Sequence, residues 1–416
     1  MKRKLFTQIR SEWRSNLWLA IELLLVSVIL WYIGSTIFTR LRIYYEPLGF
    51  DYEHVYQIGF STLNPKAPEY VEQTDEEKLA SMQRILQLIE ARPDIEAVAM
   101  GLNAHMYNGS NNGVSLYIDS LNTNGTFLVQ RLVTPDFARV YRYHGINGET
   151  PEQLAQMLKE DPNIFFASPN ILEHRGVKDL TPYIGRHFEN RSNGPRDIVL
   201  KGILVTPRYS DFQHGPFSHS VLMPAQPDWV GWMNELMVRV KDNMDVDFKE
   251  NFLKFADQNL RIGNYYITGV TADRDQRELF NRGSYVQMRN YIVAMVFLAI
   301  NVFLGLLGTF WYRTQQRTSE LAIRSVNGAS PSQLFRRTIN EGIVILTLIT
   351  PLAIVGDWLL VHYFYLSCYE GKFYAPQFWC LVAIVYAILA LMILLGTLFP
   401  ALRASHIQPA LALQQE

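Results

Sequence analysis

The chain has 416 residues, 49% of them hydrophobic and 19% charged, with a net charge of −1 and 2 cysteines. A charge this close to zero excludes nucleic-acid binding by bulk basicity. Two cysteines exclude a disulfide-built scaffold and a cysteine-rich zinc protein. The apolar residues are gathered in one block near the start and three near the end.

Residues 1–16 form a tail with Lys2, Arg3, Lys4, Arg10 and Arg14. Residues 17–39 follow, with Glu22 their one formal charge. About 20 apolar residues suffice to cross a hydrocarbon core about 30 Å thick. A secretory leader is the rival reading. The apolar run is too long for one, however, and Thr39-Arg40-Leu41-Arg42 stands where a small-residue cleavage site would be needed, so a retained first span is expected. Glu22 can snorkel to the inner surface or pair with a basic group on a neighbouring helix, and it is a candidate intramembrane functional charge.

Residues 40–272 are expected to form an α+β domain outside the membrane, held by packing because they contain no cysteine. Val55, Ile58 and Phe60 suggest a strand. Thr74-Asp75-Glu76-Glu77 reads as a capping box opening a helix whose Leu79, Met82, Ile85, Leu86 and Ile89 share a face. Pro93 ends it, and residues 95–100 read as the next strand. The same order recurs at residues 236–240 (strand), 246–257 (helix) and 265–270 (strand). These two units, near residues 54–101 and 235–270, suggest one split domain close to the membrane. The β-rich insertion between them, near residues 102–234, holds strands near 114–118, 127–133, 164–167, 198–205 and 220–223.

Residues 273–312 contain no proline, and Gly283 is the one weak point before the second span at residues 291–311. Capped by Thr271 or Asp273, a continuous helix here is about 60 Å long, roughly twice the hydrocarbon thickness, so its excess is expected to project as a stalk. Residues 313–338 read as helix, break, helix. Leu321, Ile323 and Val326 punctuate a charged helix bearing Arg317, Glu320 and Arg324, Asn327-Gly328 stops it, and Ser330-Pro331-Ser332-Gln333 restarts it. On the residues alone, an amphipathic hairpin resting on lipid headgroups explains this segment equally well.

The third span, residues 339–366, opens at Glu341, a carboxylate favoured by the helix dipole. It carries Asp357 deep inside, a second candidate intramembrane charge expected to face the bundle or a dimer interface. Residues 367–377 are a short external loop, residues 378–400 the fourth span, and residues 401–416 a tail. Cys368 and Cys380 flank the external loop, where a disulfide and a pair of buried thiols are both open. Lys and Arg concentrate in the N-terminal tail and in residues 313–338, whereas the loop between the third and fourth spans holds only Lys372. The positive-inside rule then places both termini and residues 313–338 in the cytoplasm.

Residues 317–330, Arg-Thr-Ser-Glu-Leu-Ala-Ile-Arg-Ser-Val-Asn-Gly-Ala-Ser, together with the closing Phe399-Pro-Ala-Leu-Arg-Ala-Ser-His-Ile-Gln-Pro-Ala-Leu-Ala-Leu413, resemble two motifs of MacB/FtsX-type ABC-transporter permeases. Val133-Thr-Pro-Asp-Phe137 with Val140, and Ile184-Gly185, are weaker matches. Ser325 and Asn327 depart from the pattern, where Lys or Arg and Leu are usual. The order of parts fits over the whole chain. The resemblance implies a helical membrane protein with four transmembrane helices, a large α+β extracytoplasmic domain between helices 1 and 2, and a stalk extending helix 2.

It further implies a bacterial inner-membrane permease that forms a dimer with a second copy or a paralogue. Arg317, Glu320, Leu321, Ile323, Arg324 and Gly328 would form a coupling helix docked on an ABC ATPase subunit. ATP and Mg would belong to that partner, and this chain would hold no cofactor. ATP hydrolysis would drive periplasmic movement of a peptide, antibiotic, toxin or lipoprotein by mechanotransmission, with a periplasmic adaptor and an outer-membrane channel as further candidate partners and lipid around the spans. The rival is a non-transporting FtsX-like regulator of a cell-wall hydrolase or sensor kinase. The sequence has no G-x-x-x-x-G-K-(S/T) phosphate loop. Nor does it show a nucleophile–base pair, paired carboxylates or a metal-spaced cluster, so an enzyme is not expected.

Overall fold

The computed structural model describes residues 13–124, 127–192, 196–212, 219–316, 330–364, 368–369 and 372–405. The chain divides into two compact units, one made of residues 43–284 and the other of residues 1–42 with 285–416.

Helix α1 (Trp13–Tyr44) leads from the second of these units into the first. There β1 (Val55–Thr62), α2 (Asp75–Glu90) and β2 (Ile95–Leu102) follow. Thr74 Oγ1 accepts the Glu77 N–H at 3.3 Å, and Glu77 Oε2 accepts the Thr74 N–H at 2.8 Å, closing the reciprocal cap that starts α2. The insertion comes next, with β3 (Asn112–Gly113), β4 (Leu116–Ile118), β5 (Leu121–Asn122), β6 (Val129–Val133), α3 (Phe137–Val140), α4 (Pro151–Glu160), β7 (Ile164–Ala167), β8 (His187–Asn190), β9 (Arg196–Ile203) and β10 (Ser220–Pro224). Then β11 (Glu235–Val240), α5 (Phe248–Asn259) and β12 (Tyr265–Ala272) complete the unit.

Among the described residues these strands form one 12-stranded sheet in the order β12-β1-β11-β2-β6-β10-β7-β9-β8-β4-β5, with β3 attached to β6. The first four are all antiparallel neighbours. Two strand–helix–strand units from opposite ends of the segment are thus interleaved into one split arrangement. Strand alternation decides its two faces. Val98, Met100, Leu236 and Val238 point toward Met82, Ile85 and Ile89 of α2 and Phe248 and Phe252 of α5. Ala97, Ala99 and Met237 point the other way, toward Phe137, Tyr141 and Leu154. The insertion has its own core around Leu116, Phe165, Phe188, Leu200 and Val221.

Helix α6 (Asp273–Gln316) follows β12 with no residue between them and continues through Gly283. Thr271 lies inside β12, paired with Gln57, so Thr271 does not cap the helix and Asp273 begins it. Helix α7 (Pro331–Phe364) and α8 (Ala375–Ser405) flank a small hairpin of β13 (Cys368–Tyr369) and β14 (Lys372–Phe373). The restart of α7 is tied by Gln333 Oε1, which accepts the Ser330 N–H at 3.2 Å. Four helices contain stretches long and apolar enough to cross a membrane: Leu17–Tyr44, Asp273–Thr309, Ile339–Phe364 and Ala375–Gly396. In α6 the apolar run itself begins at Tyr291, and the turns before it are polar.

Candidate functional site

The sheet domain grips the first turns of α6 through side chains spaced for one helical face. Asp273, Arg277 and Asn281 recur every four residues, which stacks them on the same side of the helix. All three find buried partners.

Asp273 is fully buried at the strand–helix junction, and its Oδ1 accepts from Gln57 Nε2 at 2.8 Å. The Tyr141 hydroxyl lies beside it. The Gln57 amide is also 2.9 Å from His105 Nδ1, and His105 Nε2 is 3.4 Å from Glu235 Oε1. Glu235 in turn accepts the His105 N–H at 2.9 Å and the Asn108 side chain at 2.7 Å. A polar chain therefore runs Glu235–His105–Gln57–Asp273 from β11 across β1 to the root of α6.

One turn on, Arg277 Nε donates to Asp211 Oδ2 at 2.7 Å, and its Nη1 donates to the Tyr52 hydroxyl. The guanidinium also sits 4.5 Å from the Tyr52 ring centroid. Asp211 is buried and accepts a second bond from the Tyr107 hydroxyl at 3.0 Å. Burial opposes the Arg277 charge, yet Asp211, Tyr107 and Tyr52 hold its pKa above the ordinary guanidinium range. One further turn on, Asn281 is buried and accepts from Ser210 Oγ at 3.0 Å. Phe280 packs edge-on to Tyr209 with centroids 5.3 Å apart. The root of α6 is thus held by a largely buried ion pair, polar bonds and an edge-on ring pair, and α6 cannot turn about its axis there without leaving Asp211 uncompensated.

Burial pushes the Asp273 carboxyl up to about 7, against the Tyr141 and Gln57 hydrogen bonds and the Arg239 charge, which pull it down. Its folded value lies above the unfolded one. The stability gained by keeping this group neutral is therefore present below the usual carboxylate range and is lost as pH rises through about 7. The thermal midpoint of the purified chain is expected to fall as pH rises from about 4 to about 7 and to level off above that, and Asp273→Asn should flatten the change. An equal slope in the variant would assign the dependence to another group.

In the membrane unit, the Glu22 carboxylate lies against Gly305 of α6. A Cβ added at Gly305 would come 2.5 Å from Glu22 Oε1, so the missing side chain makes room for the charge. Asp357 of α7 is 2% exposed, and its Oδ1 has no hydrogen-bond partner among the described residues. Beside it Gly356 abuts Val28 of α1. Trp31 of α1 meets Phe378 of α8 edge-on at 5.2 Å, Gln377 Nε2 donates to Thr39 Oγ1 at 2.6 Å, and Thr347 and Tyr386 bridge α7 and α8 at 3.0 Å. Arg40 Nη2 donates to Gln287 Oε1 at 2.8 Å. Glu22 and Asp357 therefore occupy different contacts, α1 with α6 and α7 near α1, and no described contact joins them. Glu341 is buried near the start of α7. Cys380 is an exposed free thiol, and the side chain of Cys368 lies outside the described residues, as do the docking candidates Arg317, Glu320, Leu321, Ile323, Arg324 and Gly328.

Of the α6 root only Asp273 was singled out from the sequence, and only as a candidate helix cap. The root's polar stripe at four-residue spacing was visible there, but the partners were not: Gln57 lies 216 residues away from Asp273, and Asp211 66 residues away from Arg277.

Residues 292–409 match the FtsX-like permease C-terminal family. No curated protein matches the chain. Among solved structures, the periplasmic region of MacB from Actinobacillus actinomycetemcomitans is similar at 8% identity, with 58% of this chain and 98% of that chain covered and a TM-score of 0.34.

Proposed function

We propose that this chain, which carries an FtsX-like permease C-terminal domain over residues 292–409, is the membrane subunit of a MacB/FtsX-type ABC transporter. The observation that carries the reading is that domain match. It takes in the apolar part of α6, all of α7 and α8, and the segment 317–329 where the sequence motif lies. The chain has no phosphate-cradling loop of its own, so a separate ATPase supplies hydrolysis. Residues 317–328 are the dock for that ATPase, on the cytoplasmic side with both termini, and the sheet domain is periplasmic.

The reading continues as mechanotransmission. Nucleotide-driven closure moves the docked segment, and α6 carries the displacement to its root, where Asp273, Arg277 and Asn281 hand it to the sheet domain. What supports this route is the single helix from Gln316 to Asp273 and the buried ion pair that holds its end. The substrate is a periplasmic peptide, antibiotic, toxin or lipoprotein. The chain works as a homo- or heterodimer, with an adaptor and outer channel as further partners.

Isolation of the intact complex from native membranes tests the core of this reading. An ABC ATPase is expected to co-purify in stoichiometric amount. A purified complex containing no nucleotide-hydrolysing subunit would overturn it.

A further inference from the structure

The segment joining β10 to β11 is a 3₁₀ turn, Pro227–Trp232, whose geometry sets up a second site. In a 3₁₀ helix residues three apart eclipse one another. Val230 and Met233 accordingly turn inward and are buried, whereas Trp229 and Trp232 fall on a common side. Trp229 is half-buried and Trp232 is 70% exposed. The turn is held against α2, where Gly231 comes close to the Leu79 backbone, and Trp229 N–H donates to Gln226 O at 2.9 Å. An indole this exposed on a fixed turn forgoes a large gain from burial.

The two indoles wall an open cavity of about 440 Å³, completed by Leu102, Leu132, Met233 and Asp228. That volume lies within the usual range for small-molecule sites. Its walls are apolar apart from Asp228, an exposed carboxylate with no ion-pair partner among the described residues. Leu132 and Trp229 also line an adjoining cleft of about 110 Å³, whose one cation is Arg196. Arg196 is already committed, donating to Asn163 Oδ1 at 2.8 Å and to Pro162 O. The open charge beside the larger cavity is therefore negative. Apolar walls, two indoles and one carboxylate are complementary to an organic cation with a bulky apolar body.

We infer that the Trp229–Trp232 cavity is a binding site for lipophilic cations, with Asp228 and the indole faces selecting the positive charge. This deepens the transport reading by naming a substrate class and rests on that reading for its cellular role. The binding itself does not depend on an ATPase, so the two can fail separately.

The test uses the full chain in lipid nanodiscs, titrated with tetraphenylphosphonium and, in parallel, with tetraphenylborate, which has nearly the same shape and the opposite charge. Tetraphenylphosphonium is expected to bind saturably above the empty-nanodisc background, and tetraphenylborate is not. Trp232→Ala should weaken the cation about tenfold, and Asp228→Asn about threefold, the latter more at low salt. Both side chains are exposed, so neither change should disturb folding, which an unchanged thermal midpoint would verify. Equal binding of the two ions would mean apolar partition without recognition and would overturn the assignment. So would cation binding that is indifferent to Trp232→Ala. Absence of saturable cation binding, with Trp232→Ala instead releasing a co-purifying periplasmic protein, would reassign the cavity as a protein dock and overturn it as well.

Discussion

Chains carrying Glu320→Lys and Ile323→Asp together are expected to reach the membrane in normal amounts and to lose their co-purifying ATPase. In the proposed dock the motif supplies a carboxylate and an apolar side chain, the composition of an interface centre with one charge fixing its register. Losing two such anchors at about 2 kcal/mol each weakens association on the order of a thousandfold. Neither position lies in an apolar span, so insertion should be unaffected. Quantitative co-purification checks this. Full retention of the ATPase by the double variant would show that the motion enters the chain elsewhere.

Arg277→Met is expected to separate ATP turnover from substrate movement and to lower the thermal midpoint. The change strands Asp211, buried and aimed at a vacated position, and breaking a buried pair in this way costs about 3–5 kcal/mol. For a domain of this size each kcal/mol shifts the midpoint by about 2–4 °C, so a fall of roughly 10 °C should follow. ATP turnover should persist because the dock is untouched. Asp211→Leu in the same chain should recover part of the midpoint, since no lone buried charge then remains, without restoring coupling. Substrate movement at the normal rate in Arg277→Met would remove the α6 root from the transmission path.

The secondary structure was legible wherever one periodicity dominated. Leu79, Met82, Ile85 and Ile89 repeat as a helix face should, and the Thr74–Glu77 cap fixes where that helix begins. The helix Pro151–Glu160 carried the same signal in Thr150 and Gln153, with Pro151 in its first turn, and is absent from the reading above although its residues announce it. Strand β8, His187–Asn190, announced nothing, because a four-residue segment with Phe188 as its one apolar residue becomes a strand only by pairing with β9 and β4. Sheet order is a different kind of information. That β11 inserts between β1 and β2 depends on pairings across the whole domain, which local periodicity does not encode.

The candidate residues divide along the same line. Glu22 and Asp357 could be found because a charge in an apolar run is conspicuous by itself, whereas the fit of Glu22 against Gly305 is a property of two helices together. The docking candidates came only from the family motif, since composition described an amphipathic hairpin equally well. The roles of Asp273 and Arg277 were hidden by ordinariness: charged residues opening a helix are commonplace, and only the burial of Asp273 and of Asp211, the partner of Arg277, distinguishes them.

The passage from β12 to α6 with no intervening residue has a mechanical corollary. A pull that reaches β12 along the strand's own direction is a sliding load, shared at once by the seven registered positions from Tyr56–Ala272 to Thr62–Tyr265. Rungs loaded side by side resist far more than rungs opened one after another, as a lap joint outlasts a peeled seam. The attachment should therefore stay rigid under ordinary working forces and yield abruptly above a threshold.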